Sequence, residues 1–101
     1  MKFARIEFLD QAKWDLWEGY WFYESQQIGL GKYFLQQIYG DIELLHNFAG
    51  IHSKAYGDYY RLLAKRFPYA IFYKKIDDTA YIYAVIDCRR NPTWISGKLP
   101  G

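Results

Sequence analysis

The sequence predicts an α+β domain in which a helical hairpin packs on a small, mainly antiparallel sheet, in the order β-α-α-β-β-β. Three observations carry this expectation. Two long segments in the first half of the chain repeat apolar residues at helical spacing. Three aromatic-rich runs between 59 and 88 alternate with the period of a strand. A short alternating run precedes the helices, and runs of helices and strands segregated in this way make a layered α+β domain. At 101 residues the chain is expected to form one domain, 1–101, large enough for a single core without disulfide staples.

Taken in order, residues 3–9 read as the first strand, with Ala4, Ile6 and Phe8 on one face and Phe3, Arg5 and Glu7 on the other. Asp10 stands where an N-cap belongs, before a helix expected over 11–27. That helix has two stripes. Ala12, Leu16, Tyr20 and Tyr23 lie within about 80° and face the core, while Trp14, Trp17 and Trp21 lie within about 60° on nearly the opposite side. A helix in a two-layer domain buries one face, so the three tryptophans are a candidate partner or dimer surface. Gly29 or Gly31 can take the left-handed conformation that ends a helix. A second helix is expected over 32–48, its core face set by Phe34, Ile38, Ile42 and Leu45. Gly40, costly in a helix interior, is expected to mark a close packing contact.

Residues 49–58 read as loop. His46 and His52 have no metal-ligand partner at a useful spacing and read as surface or half-buried histidines. Strands are expected over 59–65, 69–76 and 79–88. Pro68 belongs at a strand start or a bulge, and Asp77-Asp78 is a hairpin signal. The tail, 93–101, shows no period.

Composition narrows the class. The chain is 51% hydrophobic and 22% aromatic, which is globular and consistent with either a crowded core or an interface. The formal charge of +2 hides an asymmetry. Residues 1–50 carry four Lys/Arg against seven Asp/Glu, whereas residues 51–101 carry nine against four. A basic half of this kind suits an acidic or phosphate-rich partner. Cys88 is the sole cysteine, so no intramolecular disulfide forms and no cysteine zinc site is spaced for. No metal or cofactor is expected. The N-terminus has no apolar core of a signal peptide and no run reaches the roughly 20 residues of a membrane span, so a cytoplasmic protein without a membrane partner is expected.

Strand alternation places the chemistry. Tyr60, Leu62 and Ala64 should point one way, and Tyr59, Arg61, Leu63 and Lys65 the other. On the last strand Ile82, Ala84, Ile86 and Cys88 form an apolar row, and Tyr81, Tyr83, Val85, Asp87 and Arg89 the opposite row. The expectation is a sheet face bearing Arg61, Lys65 and Arg89 with aromatic rings and one acid, with Arg66 on the opposite phase. Such a face can grip phosphate or carboxylate through arginine and stack on bases; the plainer alternative is a solvated face on which Asp87 pairs with Arg61 or Arg89.

The segment Tyr60-Arg61-Leu62-Leu63, the run Arg66-Phe67-Pro68-Tyr69-Ala70-Ile71-Phe72-Tyr73 and the ending Arg89-Arg90-Asn91-Pro92-Thr93-Trp94, in this element order, resemble the RelE/ParE toxin superfamily. The Phe-Pro-Tyr and Arg-Arg-x-Pro segments are closer to its ParE-like branch. The resemblance implies the toxin of a type II toxin–antitoxin pair, neutralised by a cognate antitoxin protein. It implies DNA gyrase as the target, gripped without catalysis by Arg61, Lys65, Arg66, Arg89 and Arg90; the exposed stripe of Trp14, Trp17 and Trp21 would then be where the antitoxin is anchored. The other branch implies a nuclease that cuts messenger RNA on the ribosome, in which Arg61, Lys65, Arg66 and Arg89 would stabilise the phosphate. The sequence departs from that branch: Asp87-Cys88 stands where a His is often found, and no Tyr or His follows Tyr83. Cleavage needs proton transfer as well as phosphate stabilisation, so the expectation is binding rather than cutting. A family member that only binds a partner is the third reading.

Overall fold

In the computed structural model, residues 4–100 are described. They form β1 (Arg5–Phe8), α1 (Asp10–Glu24), α2 (Leu30–Glu43), α3 (Leu45–Phe48), β2 (Tyr60–Leu63), β3 (Tyr69–Ile76), β4 (Thr79–Asp87) and α4 (Pro92–Lys98). The expected placement of Phe3 lies outside the described residues. The four strands make one sheet in the order β1-β4-β3-β2. β1 runs parallel to β4, and the other pairings are antiparallel. The α+β architecture is the expected one, with an additional helix at the C-terminal end.

The helical hairpin packs on one face of the sheet. Ala12, Leu16 and Tyr23 of α1 and Phe34, Ile38 and Ile42 of α2 are buried against Leu62, Ile71, Tyr73, Ile82 and Val85. Much of the aromatic content is spent here: Phe34 lies 5.1 Å from the Tyr23 ring, 5.1 Å from Phe67 and 5.0 Å from Tyr69. Interlocking rings of this kind add specific geometry to the area they bury. Gly29, with φ of 92°, makes the turn between the helices. The Glu24 carboxylate at the end of α1 accepts the backbone N–H groups of Gly29 (3.0 Å) and Gly31 (3.0 Å), satisfying amides that the start of α2 would leave unpaired.

The other face is covered too. Ile95 and Leu99 pack on Tyr59, Ala70, Phe72, Ala84 and Ile86. The Tyr59 hydroxyl donates to the Pro100 carbonyl and ties the end of the tail to the sheet. The tail, in which the sequence shows no period, is helical over Pro92–Lys98. The Asn91 side chain accepts from the Thr93 N–H at 2.7 Å, and Pro92 fills the first turn, where its missing N–H is no loss.

Four expectations are corrected. Asp10 is the first residue of α1 rather than its cap; Leu9 occupies the cap without a side-chain bond, and Asp10 serves instead as an acid in the first turn. Tyr20 is half-buried, and its ring stacks on Trp17 at 5.9 Å rather than entering the core. Gly40 marks no close contact, since a Cβ placed there would meet nothing within 4 Å; the close approaches are at Gly19 and Gly31, where a Cβ would fall 2.6 Å from the Phe34 ring and from the Tyr20 carbonyl respectively. The apolar row of β4 is not continuous. The β3–β4 register shifts at Phe72/Tyr73, where Tyr73 faces Ile82 and Phe72 faces Ala84. The extra residue, Tyr83, is a bulge that reverses the alternation, so Ile82 and Val85 face the hairpin while Ala84 and Ile86 face α4.

Candidate functional site

The bulge decides where the charges fall. β2 ends, β3 begins and β4 ends at the same edge of the sheet, since Leu63 faces Ala70 and Ala70 faces Ile86. Lys65, Arg66, Arg89 and Arg90 leave the sheet at this end. Lys65 is tethered by its own N–H to a carboxylate oxygen of Asp41, at 3.1 Å, at the far end of α2. The turn after β4 is fixed by the Cys88 N–H on the Pro68 carbonyl (2.8 Å) and the Arg90 N–H on the Asp87 carbonyl (3.1 Å).

Asp87 and Arg89 form a bidentate pair, Nε to Oδ1 at 2.9 Å and one terminal nitrogen to Oδ2 at 2.7 Å. The Arg89 hydrogen bonds hold the Asp87 carboxyl below its ordinary value, and the same contact raises Arg89. Asp87 faces Tyr69 across the register and so belongs to the hairpin side. Arg61 faces the opposite way, on the exposed part of β2. The expected common face of Arg61, Lys65 and Arg89 is thus corrected: Arg61 is separated from the Asp87–Arg89 pair because the Tyr83 bulge turned the end of β4 over. Of the two plain pairings expected for Asp87, the one with Arg89 is formed.

A groove of about 300 Å³ opens between α1, the end of β4 and α4, bordered by Glu18, Phe22, Tyr69, Arg90, Trp94 and Lys98. Arg90 lies 4.5 Å over the Trp94 ring and Lys98 lies 5.3 Å from it, a cation on each side of the turn of α4. The sequence reading missed Trp94 and Lys98 as neighbours of Arg90. The signal was present as the spacing Arg90, Trp94, Lys98, four residues apart, behind the Asn-Pro helix start. At the bottom of the groove, Asp15 is 7% exposed; its carboxylate accepts the Val85 N–H at 2.9 Å and the Gln11 amide at 2.7 Å. Burial raises the Asp15 carboxyl above its ordinary value, against those two hydrogen bonds. Burial also pushes the Tyr69 hydroxyl up to about 12, so it is no ready proton acceptor.

Trp14, Trp17 and Trp21 are 62%, 52% and 49% exposed. Trp17 and Trp21 meet edge to face at 5.5 Å, and Tyr20 extends the set. Neither α2 nor the 49–58 segment folds over this stripe. No group of three or more His, Cys, Asp or Glu among the described residues is arranged to hold a metal ion, and no helix is long and apolar enough to cross a membrane.

No protein-family profile matches the chain, and no curated protein does. Among solved structures, it is similar to a chain from a chromosomal ParDE toxin–antitoxin system of P. aeruginosa, with a TM-score of 0.73 at 18% identity, covering 84% of this chain and 96% of that one. The chain therefore has a ParE-like fold.

Proposed function

We propose that this chain is the toxin of a type II toxin–antitoxin pair, acting in the cytoplasm as a single unit, 1–101, and neutralised by a cognate antitoxin. The ParE-like fold carries this reading. The target is a macromolecule, DNA gyrase by the family likeness, gripped at the basic sheet end by Lys65, Arg66, Arg89 and Arg90, with Arg61 contributing from the adjacent strand. Lys65, Arg66 and Arg90 have no ion-pair partner among the described residues, so their charge is available. Trp14, Trp17 and Trp21 offer the antitoxin rigid anchors of the kind that dominate binding energy.

Gripping is favoured over messenger-RNA cleavage because the two titratable groups paired across the end of the sheet, Asp87 and Tyr69, are poor proton carriers. Asp87 is committed to Arg89 and Tyr69 is buried with a raised hydroxyl. Expression of the chain alone in bacteria should arrest growth, with loss of gyrase supercoiling and intact messenger RNA. Replacing Arg66 and Arg90 together by Ala should abolish the arrest while costing no more than about 1 kcal/mol of stability, since Arg66 is exposed and Arg90 gives up only its contact with the Trp94 ring. Normal growth with soluble protein present would overturn the toxin reading, and cleavage within codons would replace gyrase by the ribosome.

A further inference from the structure

The chain from Gly50 to Gly57 lies along the outer edge of β2 as a flap. The Ala55 N–H donates to the Tyr59 carbonyl at 2.7 Å, the Arg61 N–H donates to the Ser53 carbonyl at 2.9 Å, and Lys54 bridges Tyr60. These bonds cover backbone groups that would otherwise stand open for pairing with another chain. Both ends of the flap turn in left-handed backbone, at Gly50 (φ 97°) and at Tyr56 and Gly57 (φ 57° and 85°). Glycine takes that conformation freely and tyrosine does not, so the shape of the flap depends on what holds it down.

Tyr73 of β3 is fully buried, and its hydroxyl accepts the Gly50 N–H at 3.0 Å. The phenol has one proton to give, and its remaining partner is Nδ1 of His52 at 2.5 Å, so the imidazole accepts. This arrangement requires a neutral His52. A protonated imidazole carries a hydrogen on Nδ1, and the Tyr73 proton is then left in the core as an unpaired donor. Tyr73 does not escape by giving that proton up, because burial raises its hydroxyl above its ordinary value. Burial likewise holds the His52 imidazole below its ordinary value. The neighbouring charges do not offset this. Lys75 of β3 comes up to Gly50, where a Cβ would stand 3.3 Å from the Lys75 Cδ. Lys54 of the flap lies 5.2 Å from the centre of the Tyr60 ring of β2 with Asp58 as its ion-pair partner, and Arg61 points to the opposite sheet face. We infer that the His52–Tyr73 hydrogen bond is a pH-sensitive latch: with His52 neutral the 50–57 flap is closed on β2, and protonation of His52 releases it, leaving the Tyr59 carbonyl and the Arg61 N–H open at the sheet edge. An imidazole freed from Tyr73 titrates near 6.5 and the latched one below that, so opening increases as pH falls below 6.5 and levels off beneath the latched value.

The test is amide hydrogen exchange on the full chain, read residue by residue by NMR at pH 7.5 and pH 5 and corrected for the intrinsic rate at each pH. Gly50, Ala55 and Arg61 should lose protection together on acidification, while Phe72 and Ala84 inside the sheet keep theirs. His52→Asn puts an amide oxygen in the place of Nδ1 and does not titrate, so its flap should stay protected at both pH values. Tyr73→Phe keeps the ring without the hydroxyl, so its flap should be unprotected at both. Flap protection indifferent to acid in the unmodified protein, or an acid loss that persists in His52→Asn, would overturn the proposal. Long-range ¹H–¹⁵N spectra at pH 7.5 read the tautomer directly: a bare Nδ1 is expected, and a protonated Nδ1 would also overturn it. None of these readouts involves growth arrest or an antitoxin, so the latch and the toxin reading stand or fall separately.

Discussion

Asp15 shows what a single carboxylate does in this fold. β1 ends at Phe8, opposite Ile82, so the next outward-facing amide of β4, that of Val85, has no strand beside it. Asp15 reaches it from α1 and replaces the missing strand at that one position. Asp15→Ala should leave the Val85 N–H buried and unpaired, destabilising the protein by about 1–3 kcal/mol, measurable as a fall in the urea midpoint without a change in slope. The acids also give opposite pH signatures. Asp15 has a raised folded pKa, so the folded state holds its proton more tightly, and stability falls as pH rises from 3.8 through that raised value. Asp87 has a lowered one, so its contribution is present above 3.8 and is lost as pH falls through the folded value. Urea titrations from pH 3 to 7 should therefore show Asp15→Asn flattening the decline with rising pH, and Asp87→Asn flattening the loss on acidification. The second effect should stay under about 1 kcal/mol because its partner Arg89 is exposed. None of this was visible in the sequence, where Asp15 is one more charge on a helix; its role depends on where a distant strand stops.

The helical hairpin is held close by two small residues. Gly31 lies under the Tyr20 carbonyl and ring and Gly19 under the Phe34 ring, so each helix approaches the other with no Cβ of its own at that point. Gly31→Ala should cost about 1–3 kcal/mol by forcing backbone against Cβ, whereas Gly40→Ala, in open space, should stabilise by up to about 1 kcal/mol through helix propensity alone; thermal melts of the two variants check both signs. The apolar faces of the helices were legible because Phe34, Ile38, Ile42 and Leu45 repeat over enough turns to set a phase. The bounds of β3 were legible for a similar reason, between Pro68 and the Asp77 turn. The Tyr83 bulge was not, since one inserted residue leaves the aromatic alternation looking continuous while turning the strand over. α4 lies between these cases: its seven residues are too few for periodicity, but Asn91 and Pro92 announce its start.

At the scale of the whole molecule, the basic surplus of the second half was readable by counting, but not its division. Lys65, Arg66, Arg89 and Arg90 gather at one sheet end, while Arg61 lies on the other face of β2, its N–H bonded to the Ser53 carbonyl in a contact between a loop and an edge strand that no sequence spacing announces. The tryptophan stripe was legible from helical phase and is exposed as expected. On the proposed toxin reading, Trp17→Ala should weaken antitoxin binding by about 2 kcal/mol or more while leaving the thermal midpoint nearly unchanged, as read by calorimetry on the purified pair. The sheet order has a consequence for how the chain comes off the ribosome. Arg5 pairs beside Thr79, so the first strand made must wait for the last one before it has a neighbour. A chain interrupted before β4 lacks the strand that joins β1 to β3, so it has an unpaired β1, an open β3 edge and no basic turn. The sheet is accordingly completed in one late step, when β4 takes its place between β1 and β3.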